Sequence, residues 1–233
     1  MPQAADWQDA VRAAWDSMKG NVAAKLPGAV LEKPLSDQSY RQGTGLCTFL
    51  NWGEGNGSWG DDGQGTIRLT SLRVSDFTSV SAGPADIENL DVRLPLPFAL
   101  LQASGRYDYV QECAFYSMGK KGPPSRVHGS GTMNAKSESG TLTYRLKAVG
   151  PDKHLEMTGA TVDGRRSVNV RPDGEPDNPI LRWLIDVFAR GLQEKVIIKS
   201  ALDSFFTHGQ FGRDMVSELN QIIEESRAGN AQG

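Results

Sequence analysis

Cysteine, histidine and long apolar runs are scarce in this chain. Of its 233 residues, two are cysteine (Cys47 and Cys113) and three are histidine (His128, His154 and His208). Two cysteines cannot build a disulfide framework, and no CxxC or His/Cys grouping has zinc spacing. Two reduced thiols are expected, and a single cross-link is the most that could form. No apolar run reaches the ~18 residues that a membrane-spanning helix needs. The opening Met1-Pro-Gln-Ala-Ala-Asp6 lacks the charged and apolar regions of a signal peptide. The location stays open between the cytoplasm and export without a conventional leader, and a secreted chain with its leader trimmed would look the same. No run of basic residues occurs and the formal net charge is −3. That argues against a nucleic-acid partner, because phosphates demand clustered Lys and Arg.

What the chain does contain is a change of hydrophobic period. Trp7, Val11, Trp15, Met18, Val22 and Leu26 recur at three and four, which predicts an amphipathic helix from about residue 4 to residue 26. Pro27-Gly28 is the expected stop. Residues 43–65 are glycine-dense, with a short strand over Leu46–Trp52 and a loop over Gly53–Gly63. From residue 66 to residue 171 the period is two, which predicts an antiparallel meander. Leu90, Val92, Leu94, Leu96 and Phe98 form one strand, and Pro95 and Pro97 within it predict an edge or a bulge. Gly105 to Phe115 forms the next. Turns are expected at Gly119–Pro124 and near Glu138-Ser-Gly140, followed by strands around Leu142–Ala148, Leu155–Gly159 and Val168–Val170. Pro172–Pro179 reads as a linker. Residues 177–225 read as helices, with breaks at Gly209 and Gly212. The whole chain, 1–233, reads as one α+β domain: an N-terminal helix over 1–28, a glycine-rich region over 43–65, the meander over 66–171 and C-terminal helices over 177–225.

The motifs that suggest catalysis are incomplete. Gly55-Asn-Gly-Ser-Trp-Gly60 matches GxGxxG, but no helix follows to hold a pyrophosphate, and Asp61 and Asp62 would repel one. Glu54, Asn56, Asp61 and Asp62 lack the spacing of a calcium loop, and Asn56-Gly-Ser58 is a glycosylation sequon. His128-Gly-Ser-Gly131 has no GxSxG elbow beside it, and nothing in the sequence links the histidines to a serine and an acid. Asp108 and Glu112 share one strand face, which should point to solvent. A non-enzymatic protein with no cofactor and no metal is expected.

The aromatic residues carry more information. Trp183, Phe188, Leu192, Tyr107, Tyr109, Phe115, Tyr144, Leu94, Leu96, Phe98, Leu101 and Met133 all fall on faces expected to point inward. Small residues lie between them, at Ala103, Gly105, Gly129, Gly131 and Gly159. A curved sheet over a helix with such a lining can leave a slot for an apolar ligand. The other reading of the same residues is a filled core, in a protein that acts through its surface in a complex.

The order of Ile67–Phe77, Leu90–Phe98, Gly105-Arg-Tyr-Asp-Tyr109 and Gly129-Ser-Gly-Thr-Met133, closed by Phe206-Thr-His-Gly-Gln-Phe-Gly212 and Leu219-Asn220, resembles the TULIP superfamily of tubular lipid-binding proteins. The branch it resembles is that of takeout, juvenile-hormone-binding and group 7 mite-allergen proteins. The resemblance implies a long, highly curved antiparallel sheet wrapped around a long C-terminal helix. It also implies a tunnel between them for a lipid or other apolar small molecule.

Overall fold

The computed structural model describes residues 3–31, 37–41, 57–117, 120–173 and 197–230. Along them run α1 (Gln3–Leu31), β1 (Gln38–Arg41), β2 (Gly57–Thr78), β3 (Asp86–Glu88), β4 (Asp91–Ser117), β5 (Lys120–Val149), β6 (His154–Pro172), α2 (Ile197–His208) and α3 (Gln210–Asn230). The architecture is α+β. One antiparallel sheet has the order β1-β2-β4-β5-β6, with β3 paired to the start of β4. Helices from both ends of the chain pack on its inner face in one hydrophobic core.

The stripe expected of α1 is buried at every position, from Trp7 to Leu26. The helix does not stop at Pro27 but runs through it to Leu31. Proline inside a helix costs about 3 kcal/mol. Val30, four residues beyond Leu26, continues the stripe at 2% exposure, and burying a valine returns roughly 1.5–3 kcal/mol. Tertiary packing thus offsets much of the local stop signal. Trp15 also ties α1 to the segment between β2 and β3, its Nε1–H donating to the Gly83 carbonyl at 2.8 Å.

The strands are longer than their sequence periods suggest. Residues 57–63, read as loop, begin β2, where backbone pairing of Gly57–Asp61 with Cys113–Ser117 of β4 overrides the glycine content. The two segments Leu90–Phe98 and Gly105–Phe115 are one strand, β4. The reversal expected within Gly119–Pro124 falls earlier, since β4 ends at Ser117 and β5 starts at Lys120. Pro95 and Pro97 lie in the first third of β4. Their carbonyls accept from the N–H groups of Gly83 and Ser81, so their missing N–H groups face a covering segment, not the β5 ladder.

Glu138-Ser-Gly140 is not a turn between strands either, because β5 passes straight through it, with Phe98↔Gly140 and Leu100↔Glu138 in register. It is a crease. Buried positions switch there from Met133, Ala135 and Ser137 to Leu142, Tyr144 and Leu146. β4 switches beside it, between Phe98 and Leu101, and β6 shifts register between Arg165 and Asp163. Ser139 (φ 48°) and Gly164 (φ 149°) supply the unusual backbone that such a bend needs. Phe98 packs over Gly140, where a Cβ would lie 2.4 Å from the ring.

The outer edge of β6 is covered by helical side chains. Asp203 and Thr207 of α2 accept from the Val162 and Ala160 N–H groups, at 2.7 and 2.8 Å. Four helical residues rise ~6 Å and two strand residues ~6.6 Å, so the two spacings match. Asn220 of α3 pairs with both backbone groups of Leu155, each at 2.9 Å. These contacts seal an edge that could otherwise pair with another chain, and they fix the helices over the sheet.

Candidate ligand cavity

The two C-terminal helices meet at Gly209. A Cβ there would stand 2.7 Å from the Phe205 carbonyl oxygen, so the corner needs glycine. Arg213 braces it, donating to the His208 carbonyl at 2.5 Å and to Gln210 Oε1 at 2.9 Å. One turn on, Gly212 lets α3 approach the sheet. A Cβ on it would be 3.0 Å from Met157 Cε and 3.2 Å from Tyr144 Cε1.

Between this corner, the end of α1 and β5 lies a cavity of about 170 Å³. Val30, Phe205, Phe206 and Phe211 supply its apolar wall, Ala29 and Gly212 its small positions, and Gln210 and Asp214 its polar rim. Phe205 and Phe206 meet edge to face at 5.3 Å, and Phe206 touches Phe77, which meets Phe98 at 5.4 Å. Tyr144 also lines the cavity and is 1% exposed. Burial pushes its phenol pKa up, so the group is neutral across the working range. An open groove of about 420 Å³ runs alongside, between α3 and β6, past His154, Met157, Arg213 and Glu224.

Of the residues expected to line a pocket, Leu94, Leu96, Phe98, Leu101, Tyr107, Met133 and Tyr144 are all buried on the inner face of the sheet. Only Tyr144 among them reaches this cavity. Tyr109 and Phe115 lie on β4, opposite Ile67 and Trp59, with side chains outside the described residues. Trp183, Phe188, Leu192 and Cys47 fall outside the described residues altogether. The remaining wall comes from the Phe205–Gly212 stretch and from Ala29 and Val30. Its one signal in the sequence is the pair of glycines among phenylalanines.

The His128-Gly-Ser130 motif does have acids beside it, which the sequence did not reveal. His128 Nε2 stands 3.3 Å from Asp108 Oδ1 on the outer face. Ser130 donates instead to Asp173, at 2.8 Å, and Arg106 pairs with the same carboxylate. The serine is thus bound to Asp173 and the histidine to Asp108, so the three groups do not line up as a Ser-His-acid relay. Among the described residues no group of three or more His, Cys, Asp or Glu could hold a metal ion, and no helix is long and apolar enough to cross a membrane.

No protein-family model matches the chain, and no curated protein does either. Solved structures do. The chain is similar over 90% of its length to the crystal structure of lipopolysaccharide binding protein, at 13% identity and a TM-score of 0.38, and spans 40% of that protein's chain. It is similar over 92% of its length to Takeout 1 of Epiphyas postvittana, at 11% identity and a TM-score of 0.32, covering 87% of that chain. The solution structure of latherin is matched over 95% of this chain and 84% of its own, at 15% identity and a TM-score of 0.23.

Proposed function

We propose that this chain is a non-enzymatic, TULIP-like binding protein that holds a hydrophobic small molecule, or the apolar end of a lipid, at the α2–α3 corner. The observation that carries this reading is the aromatic cavity with the buried Tyr144 on its wall. An apolar cavity of ~150 Å³ is enough to bind an aromatic ring. A void of about 170 Å³ therefore suits one ring or a short alkyl segment, whereas a whole drug-sized ligand needs ~300–1,000 Å³. Each buried methylene contributes about 0.8 kcal/mol, so a segment of about five methylenes supplies ~4 kcal/mol. Tyr144 then fixes a polar atom of the ligand.

Titration with a homologous series of alkyl alcohols tests this. Affinity should rise with chain length until the void is full. Tyr144→Phe should weaken alcohols roughly 2- to 13-fold and leave hydrocarbons of equal length unchanged. An affinity that ignores both chain length and Tyr144 would remove the assignment. A second reading is a filled-core interaction protein, favoured by Trp15, Leu94, Leu96 and Leu142, all fully buried between α1 and the sheet. A flat titration, together with a protein partner that co-purifies with the chain, would support it.

A further inference from the structure

Among the described residues, the inner face of the sheet carries one arginine amid apolar neighbours. Arg166 stands opposite Ser137 in the β5–β6 register, beside the buried pair Ala135 and Val168. Ser137 is 3% exposed and its Oγ has no hydrogen-bond partner. The Nε of Arg166 is buried and has none either. Both groups flank Gly164. A Cβ there would lie 2.6 Å from Ser137 Oγ, and the Arg166 side chain folds back along β6 so that Nη2 donates to the Val162 carbonyl.

The acidic groups nearby address other atoms. Asp163 stands 3.9 Å from Nη2, and Asp203 of α2 accepts from the Val162 N–H at 2.7 Å. Two donors therefore remain without acceptors, the Ser137 O–H and the Arg166 Nε–H. Folded proteins rarely bury two such donors together unless something answers them.

We propose that Ser137 and Arg166 form a binding site for a single oxyanion oxygen, from a carboxylate or a phosphate. Guanidinium N–H groups make short, charge-assisted hydrogen bonds to such oxygens, and a hydroxyl alongside adds a second donor. The Arg166 side chain as a whole is 26% exposed although its Nε is buried, so an anion reaches the two donors when the guanidinium shifts outward. Phe98, packed over Gly140 next to Gly164, offers an apolar neighbour to any chain attached to that head group. The site needs only its own two donors and does not depend on the corner cavity.

Thermal unfolding of the full chain with inorganic phosphate, acetate or dodecanoate tests the proposal, on the wild type and on Ser137→Ala and Arg166→Gln. An oxyanion should raise the wild-type Tm, and both variants should need roughly ten-fold more anion for the same shift. A response to phosphate or acetate identifies a free anion, and a response to dodecanoate alone identifies the head group of an amphiphile. Without anion, Ser137→Ala should be no less stable than the wild type, because its hydroxyl has no partner to lose. Equal shifts in all three proteins, no shift with any probe, or a Ser137→Ala that is already weaker without anion would each overturn the proposal. If Arg166→Gln does not fold, Arg166→Lys replaces it and should show the same loss of anion response.

Discussion

Asn220→Ala should destabilise this protein far more than its position on a helix suggests. Asn220 is 7% exposed, and its amide acts as a short piece of strand against the free edge of β6. Oδ1 accepts from the Leu155 N–H and Nδ2 donates to the Leu155 carbonyl, both at 2.9 Å. Alanine removes these two hydrogen bonds, worth ~0.5–1.5 kcal/mol each, and a longer 3.4 Å contact with His154 Nε2. It also leaves two backbone groups of a residue that is 1% exposed without partners, each at a cost of about 1–3 kcal/mol. These costs overlap, and the expected loss is roughly 2–4 kcal/mol. For a chain of this size that is a fall in Tm of about 6–12 °C. Urea unfolding followed by far-ultraviolet circular dichroism and by tryptophan fluorescence reads the loss. Gln221→Ala serves as the control, because among the described residues its side chain bonds to exposed Glu225, at 2.8 Å. It should change stability by less than ~0.5 kcal/mol. If Asn220→Ala costs no more than that control, the clamp does not hold α3 to the sheet and the account of the sealed edge is wrong.

Three further outcomes follow from the same geometry. Trp15→Phe should cost ~2–4 kcal/mol in urea unfolding, since it empties part of a fully buried site and strips the Gly83 carbonyl of its 2.8 Å donor. Gly164→Ala should cost more than about 2 kcal/mol, because φ is 149° and the new Cβ would lie 2.8 Å from Gly140 Cα. Gly159→Ala, with open space around its Cβ position, should cost far less, and equal losses at the two glycines would contradict the crease. Lys136 holds the Glu138 carboxyl below the usual glutamate range, first through their hydrogen bond and then through its charge. Lys136→Ala should return the Glu138 titration toward the ordinary range by NMR. Because the folded pKa is lowered, the pair's contribution is present above the unfolded pKa and is lost as pH falls through the folded one.

Local signals in the sequence report what the chain does over one turn or one ladder step, and they mislead where distant segments decide. The stripe from Trp7 to Leu26 was legible because a helix imposes its period on every residue. The continuation through Pro27 was not, because it depends on the burial of Val30 against the rest of the core. The inner faces of the strands could be read from their period of two, but their lengths could not. Ser139 and Gly140 look like a reversal, and only the register with Phe98 and Leu100 shows that they bend a continuous strand. The cavity was the least legible feature. Its wall joins α1, β5 and the α2–α3 corner, and no spacing in the sequence measures the distance between them. Tyr144 was expected on an inward face, and it is buried there. Leu94, Leu96 and Leu101, expected beside it, are spent on packing within the core.

The most direct test of the ligand cavity is mass spectrometry of an organic extract from the freshly purified chain, beside the same extract from Ala29→Phe. Ala29 lines the void, is half-buried and lies on a helix, so a phenylalanine there fills the space and leaves the fold intact. The account predicts an apolar compound in near-stoichiometric amount from the wild type and its loss from the variant. The same compounds in both extracts, or none in the wild type even after incubation with alkyl alcohols, would contradict it.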